Sequence, residues 1–430
     1  IYSDAGCTAL LATGVGAAGT VQVTLPYQPD GAHSYYAQGY DVPGDASNVS
    51  ACSAALLSYT VTSNLDLTQP TNVITLANNP NSIAFANLDD RTTDGSDKFI
   101  YGMIAPSPTS SSINLVWPSG SDPQWVTPIE SIPGRGHETA PYYNAIDGDT
   151  KIDLVTLDTT GHMAVYKGTG SGSFSVNPVL FDATGVDAND TPVDMKFTDL
   201  NGDGHNDAVI ATKSRVLVYL GTHDSAMFGS KTVFDPGMAP TSLILADFDD
   251  DTKWDVAVIS SASGIVLMKG DGSGALLAPS TVTNTTGITQ GVATDLAHDG
   301  GGLDFVVNLS SGGAFGTIAN NGVGGFGALT AHGTYRGPVM VQASDMDSMP
   351  DGAPEVVVAN VDHPELGVVT VYFNDGLGNF NSLGEDLLPL DEAPVAVYLL
   401  DEDLNFGMDI VILTASGKVY VILNTQFFIG

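Results

Sequence analysis

One pattern recurs seven times from about residue 82 to the end of the chain: an apolar strand, an Asp-rich loop and a second apolar strand. The clearest copies read FTDLNGDGHNDAVIAT (197–212), LADFDDDTKWDVAVIS (245–260) and LLDEDLNFGMDIVILT (399–414). Weaker copies read YYNAIDGDTKIDLVTL, ATDLAHDGGGLDFVVNL, ASDMDSMPDGAPEVVVAN and AFANLDDRTTDGSDKFIYGM. The acid that closes each loop falls at Asp153, Asp207, Asp255, Asp304, Glu355 and Asp409, with an earlier degenerate copy around Asp97. A repeat of this kind cannot bury its apolar surface alone, so neighbouring copies must stack.

The spacing of roughly fifty residues fits one blade of a β-propeller. Between the loops run β-branched stretches such as RVLVYLG, GIVLMKG and VVTVYFN, followed by the glycine-rich turns GTGSGSF, GDGSGAL, NGVGGFG and DGLGNF. Each unit therefore supplies about four strands. The expected fold class is all-β: a seven-bladed propeller over 72–430, in which radial packing leaves only short, protected sheet edges. The last unit ends at VYVILNTQFFIG, without the strand that follows this position elsewhere. NVITLA (72–77) has the character to complete it, so the two ends of the array are expected to share one blade. A linear solenoid is disfavoured because nothing resembles a polar terminal cap.

Composition narrows the function classes. With 43% hydrophobic residues the chain can bury a substantial core, yet 49 acidic against 13 basic residues leave a net charge of −36. That charge argues against nucleic acid and against anionic membranes as partners, and calls for a cationic counterpart. No apolar run reaches the length needed to span a bilayer, and the start lacks a basic stretch followed by an apolar one, as expected of mature, soluble material. Both cysteines, Cys7 and Cys52, lie in the first sixty residues, where one disulfide and an oxidising compartment are the expectation. Two free thiols are the alternative; a tetrahedral metal site would need further ligands nearby.

Residues 1–62 differ from the rest, with strand-like TVQVTL, SYYAQGY and LLSYTVT. The IYSDAGC start, HSYYAQGYDVPGDASNVSAC and the closing LSYTV resemble the later part of a bacterial immunoglobulin-like domain. Such domains begin a strand or two earlier, so the segment is expected to be a partial β-sandwich, joined by a linker at 63–71 to the propeller. An incomplete module of that kind can accept a strand from a neighbouring subunit and so build a filament.

The loops carry the chemistry. Calcium prefers six to eight oxygens, and a short loop with acids at alternate positions turns their carboxylates around one point. In 199–207, Asp199, Asn201 and Asp203 occupy positions one, three and five, Gly204 permits the turn, the His205 carbonyl serves at seven and Asp207 closes. Asp247, Asp249, Asp251, Lys253 (through its carbonyl) and Asp255 repeat the arrangement, as do Asp401, Asp403, Asn405, Gly407 and Asp409. Four loops depart from it. In 145–153, Ala145 replaces the first acid and leaves Asp147, Asp149 and Asp153. In 295–304 the candidates are Asp295, Asp299 and Asp304, and in 345–355 they are Asp345, Asp347, Asp351 and Glu355. In 87–98 they are Asn87, Asp89, Asp94 and Asp97, with Lys98 near the closing position, where its charge opposes a metal.

These loops and glycine turns resemble the FG-GAP or VCBS repeats of integrin α-subunit propellers and of many bacterial surface proteins. The resemblance implies a seven-bladed propeller with calcium bound between the first two strands of a blade. An EF-hand is excluded because the acid closes at position nine instead of twelve and strands flank the loop. Acidic loops alone also fit a solvated surface; the alternate spacing and its recurrence favour calcium in a structural role.

Catalysis finds little support: there is no HExxH, no GxSxG and no cysteine–histidine pairing. The one GxGxxG, formed by Gly322, Gly324 and Gly327, lies in a hairpin turn instead of opening a helix. The eight histidines show no ligand spacing, and acid pairs suited to glycosidic chemistry are already accounted for by the metal loops. A binding role is therefore expected, on the face opposite the calcium loops. The connections there carry Arg135, His137, Tyr142, Tyr335, Arg336 and His363, residue types common at recognition surfaces. An adhesion or structural surface protein is the leading expectation. The alternatives are a lectin-like propeller, although no aromatic repeats at a fixed blade position, and an accessory propeller of a polysaccharide-degrading enzyme. The expected partners are a protein or glycan ligand at the cell surface, and the expected location is outside the cell.

Overall fold

A computed structural model describes residues 146–149, 151–158, 160–170, 173–297, 302–310, 313–333, 337–346, 353–363, 366–380, 385–400 and 408–424, together with the strands named below, the paired strands Pro118–Ser119 and Gln124–Trp125, and residues 7, 36–37, 52, 76, 80 and 82–83. Among these are seven four-stranded antiparallel sheets. Sheet I comprises Ala84–Asn87, Tyr101–Pro106, Ser112–Val116 and Glu130–Pro133. Sheet II comprises Tyr142–Asn144, Asp153–Leu157, His162–Tyr166 and Val179–Asp182. Sheet III follows with Pro192–Thr198, Asp207–Thr212, Val216–Tyr219 and Thr232–Phe234. Sheet IV has Ser242–Ala246, Asp255–Ser260, Gly264–Met268 and Ser280–Thr283. Sheet V has Ile288–Thr294, Asp304–Leu309, Ala314–Ile318 and Thr330–Gly333. Sheet VI has Pro338–Ser344, Glu355–His363, Leu366–Tyr372 and Glu385–Leu390. Sheet VII takes Pro394–Leu400, Asp409–Thr414 and Lys418–Ile422 from the end of the chain and Asn72–Thr75 from before sheet I. That last strand pairs antiparallel with Lys418–Ile422, and Ile83 N–H donates to Tyr398 Oη at 2.9 Å across the same junction.

Burial grades across sheets II to V. The second strands of sheets III, IV, V and VII are buried along their whole length, which is why they read as continuous apolar runs and not as alternations. The fourth strands of sheets II, III and IV are exposed or half-buried at every residue. Because strand side chains alternate between faces, one strand feeds two cores. In sheet III, Ala208 and Ile210 pack with Val155 and Leu157 of sheet II, while Val209 and Ala211 pack with Val256 and Val258 of sheet IV. The same division joins Ala257 and Ile259 to Phe305 and Val307, Val306 to Val356 and Val358, and Val357 and Ala359 to Ile410 and Ile412. The free face of sheet VII, with Val411 and Leu413, packs on Leu76 and Ile83.

The first strands adjoin one another and are tied by buried polar contacts. Asp194 Oδ2 accepts from Ser242 Oγ at 2.9 Å and from Leu243 N–H at 2.8 Å. Gln290 Oε1 accepts from Val341 N–H at 3.0 Å. Four first strands carry a register shift at the same place, beginning at Pro192, Ile288, Pro338 and Pro394.

Within 1–62, Gly31–Tyr35 pairs antiparallel with Leu57–Val61, and Cys7 is joined to Cys52 with their Cα atoms 5.7 Å apart. Closing a loop of this length by a disulfide is worth about 4 kcal/mol in the chain-entropy account. The expected strand TVQVTL and the remainder of the immunoglobulin-like sandwich lie outside the described residues. Among the described residues no helix is long and apolar enough to cross a membrane.

Phe305 is fully buried between sheets IV and V, its ring stacked on Phe248 with centroids 4.6 Å apart. Phe305→Ala is expected to cost about 3–5 kcal/mol in urea unfolding, whereas Val233→Ala, on an exposed fourth strand, should change it by less than about 0.5 kcal/mol.

Candidate functional site

Every described second strand from sheet II onward opens on its closing acid, placing the Asp-rich loops where the first strand turns into the second. In the loops of sheets III and IV, backbone N–H groups hold the first acid. Asp199 Oδ1 accepts from Gly202 and Asp203, and its Oδ2 accepts from Gly204 at 2.8 Å. Asp247 accepts likewise from Asp251 and Thr252. This curl demands left-handed backbone at two positions: Gly202 and Gly204 have φ of 73° and 84°. Their counterparts in sheet IV, Asp250 and Thr252, take φ of 58° and 67° with side chains that disfavour it, a strain held by the loop's own hydrogen bonds.

The closing acids are buried, and each described one clasps backbone. Asp153 accepts from Ile146 and Asp147 on one oxygen and from Gly168 on the other. Asp207 bridges Leu200 and Gly221 (2.8 and 2.7 Å), Asp255 bridges Phe248 and Gly270 (3.2 and 2.9 Å), and Asp304 bridges Leu296 and Asn320 (3.0 and 2.8 Å). Glu355 accepts from Met346 and Asp409 from Asn424. The clasp joins the loop to the second residue after the third strand. Where each carboxylate oxygen accepts one such bond, as in Asp207 and Asp255, a second lone pair leaves acceptor capacity for a cation.

Asp247, Asp249 and Asp255 each place an oxygen within 4.8 Å of the others, the one such group among the described residues. Asp249 Oδ1 is buried without a hydrogen-bond partner, as is Asp295 Oδ1 at the first position of the sheet V loop. An all-oxygen donor set with unspent buried acceptors suits a hard divalent cation. In sheet III, Asp199, Asn201, Asp203 and Asp207 share one loop, with His205 N–H donating to Asp203. In sheet II, Asp147 is bound at 3.0 Å by Lys167 Nζ, and in sheet IV Asp249 is bound at 2.7 Å by Lys269 Nζ. Lys253 pairs with Asp251 at 2.7 Å. Asp89, Asp94, Asp97, Asp299, Asp347, Asp351, Asp401, Asp403, Asn405 and Gly407 lie outside the described residues, as do Arg135, His137, Tyr335 and Arg336. Asn87, Tyr142 and His363 fall in described strands, at the end of Ala84–Asn87, the start of Tyr142–Asn144 and the end of Glu355–His363.

Three residues outside the sequence expectation bind the loops to one another. Asn320 Nδ2 donates to Phe248 carbonyl oxygen of the preceding sheet at 2.8 Å, Asn374 to that of Leu296 at 2.8 Å and Asn424 to that of Met346 at 2.7 Å. The peptide of Leu296 is thus held on its N–H by its own closing acid and on its carbonyl by the next sheet. Glycine stands at the equivalent position in sheets II to IV, where a Cβ on Gly168, Gly221 or Gly270 would come within 2.2–2.5 Å of a backbone oxygen. The sequence signal is the residue ending TIAN, VYFN and VILN, in place of YKG, YLG and MKG.

Residues 146–207 and 199–258 match the FG-GAP-like repeat family. No curated protein matches the chain. Among solved structures, BBS1N in complex with ARL6DN is similar at 12% identity, covering 84% of this chain and 96% of that one with a TM-score of 0.54. An Agrocybe aegerita lectin that recognises non-reducing terminal N-acetylglucosamine is similar at 17% identity, covering 83% and 95%, with a TM-score of 0.52. The BP39L lectin of Burkholderia pseudomallei is similar at 14% identity, covering 81% and 99%, also at 0.52. At these identities the likeness establishes the fold, a β-propeller.

Burial is the largest influence on the closing acids: it pushes Asp207 and Asp255 up to about 6 and raises Asp153, against the backbone N–H groups that bind them. Their folded values lie above the ordinary 3.8, so the stability they contribute is full below pH 3.8 and lost as pH rises, through about 6 for Asp207 and Asp255. Burial lowers His332, which acts in the opposite direction, but it is one group against three. In chelator, the melting temperature should therefore be higher at pH 5 than at pH 7, measured by thermal unfolding. Asn374→Leu, which strips donors from the Leu296 and Pro354 carbonyls, should cost about 1–3 kcal/mol in urea.

Proposed function

We propose that the chain forms a calcium-stabilised, seven-bladed propeller that binds or holds a partner outside the cell and carries out no catalysis of its own. The observation that carries the reading is the trio Asp247, Asp249 and Asp255, which place carboxylate oxygens within 4.8 Å of one another, together with a buried oxygen of Asp249 that has no hydrogen-bond partner. Like charges gathered so closely favour either proton uptake or a cation. Bound calcium would supply the charge neutralisation that the loop otherwise lacks. Asp199, Asn201, Asp203 and Asp207 would hold a second ion, and Asp401, Asp403, Asn405 and Asp409 a third. The net charge of −36 makes such neutralisation a general requirement of the molecule.

Extracellular calcium modules bind at about 10⁻⁴–10⁻³ M. At millimolar calcium each site then adds about 0.4–1.4 kcal/mol, so several sites rival the few kcal/mol of net stability typical of a domain. The Cys7–Cys52 disulfide supports an oxidising location. In this reading residues 1–62 form the partial immunoglobulin-like module, 63–71 the linker and 72–430 the propeller. The partner face is the one opposite the loops, reached by Arg135, His137, Tyr142, Tyr335, Arg336 and His363. A glycan ligand is the second reading, favoured by the two lectins that share the fold.

Thermal unfolding in calcium, in magnesium and in excess chelator, with elemental analysis of bound metal, tests the central claim. Three or more equivalents of calcium and a sharp fall in melting temperature on chelation are expected. A metal-free protein indifferent to chelation would reduce the loops to acidic turns. Saturable binding on a glycan panel would select the lectin reading.

A further inference from the structure

Two of the thirteen basic side chains in this chain occupy the same unusual place. Lys167 and Lys269 each follow the third strand of their sheet and immediately precede Gly168 and Gly270, the glycines whose N–H groups the closing acids clasp at 2.8 and 2.9 Å. The clasp fixes the lysine's own backbone beside the loop. Each ammonium then reaches the acid at the third loop position: Lys167 to Asp147 Oδ2 at 3.0 Å and Lys269 to Asp249 Oδ2 at 2.7 Å. Both acids are shielded, their side chains only 11% and 14% exposed, so the pairs are less screened than surface ion pairs.

A lysine at this place is confined to two of the repeats. In sheet III the third loop position is the neutral Asn201, and the residue before Gly221 is Leu220. The corresponding residues of sheets V to VII are Ala319, Phe373 and Leu423, although Asp347 and Asp403 hold the third loop position in sheets VI and VII, so those two acids have no lysine at this place. Lysine therefore stands in two repeats, and in both it meets a third-position aspartate.

We propose that Lys167 and Lys269 are resident counter-cations that set the metal affinity of their own loops, each holding the third-position aspartate when the ion is absent and opposing the ion by charge when it arrives. The inference rests on the calcium reading above. The lysine lowers the cost of gathering carboxylates in the empty loop and weakens the field felt by an entering cation; both effects reduce affinity. Asp249 combines both features on one side chain, with Oδ2 on Lys269 and Oδ1 buried without a hydrogen-bond partner.

Trp254 precedes Asp255 in the sheet IV loop and is 41% exposed, so its fluorescence reports that loop. Calcium is titrated into the full chain, and the Trp254 signal is taken as the part lost in Trp254→Phe. Lys269→Met and Lys269→Gln are expected to move the midpoint to about fivefold lower calcium or further, the equivalent of a partly buried charge interaction, while Lys269→Arg stays near wild type. In chelator the two neutral variants should melt below wild type, and saturating calcium should close that gap. An unmoved midpoint, or an equal loss of melting temperature with and without calcium, overturns the role of the lysine and leaves the calcium reading standing. A wild-type chain that binds no calcium overturns both.

Discussion

The structure depends on one repeated contact: a buried carboxylate at the start of a second strand whose oxygens bind backbone N–H groups from two directions. In sheet III, Asp207 takes Leu200 from the loop before it and Gly221 from beyond the third strand. Sheets II, IV and V repeat the clasp with Asp153, Asp255 and Asp304. A carboxylate so buried is costly unless its lone pairs are used, and here the backbone uses them. The loop cannot relax outward without abandoning both bonds, so the early acids are held close together. The clasp thus supports the strand geometry and concentrates the charge that invites a cation.

Between sheets, cohesion comes from a different source. Strands buried on both faces give alternate residues to the cores on either side, as Ala208 and Val209 do, so each internal sheet is held by apolar contacts to two neighbours. Asn320, Asn374 and Asn424 add a polar counterpart by reaching back to the loop of the preceding sheet. Because Leu296 is bound through its N–H by Asp304 and through its carbonyl by Asn374, a shift in one loop is felt by the next. In sheets II to IV glycine stands at the same position, where a Cβ would strike the backbone oxygen of Ile152, Asn206 or Trp254 in its own sheet's loop.

Charge is the least settled part of this balance. The loops gather acids that the backbone only partly satisfies, and lysines 167 and 269 neutralise two of them from within. The relatives in fold include a propeller in complex with a protein and two lectins. The fold accommodates both kinds of partner, so the identity of a ligand rests on loop chemistry and not on the blades.

The repeat itself was legible in the sequence: alternation of apolar runs with Asp-rich loops and glycine turns dictates strands, their order and the loops between them, because those patterns act locally. The strand at 72–77 could likewise be matched to the last sheet by its character, and Cys7 and Cys52 by their placement. Tertiary structure alone decided what each acid does. Asp207 and Asp203 are both aspartates at alternate loop positions, yet Asp207 is buried and bonded to Gly221 fourteen residues away, while Asp203 stays exposed. The partners of Asn320, Asn374 and Asn424 lie more than seventy residues back in the chain, and Lys269 meets Asp249 only because the third strand returns beside the loop. Sequence periodicity governs what a segment becomes; which distant groups share a buried hydrogen bond or a charge is set by the packing of sheets against one another.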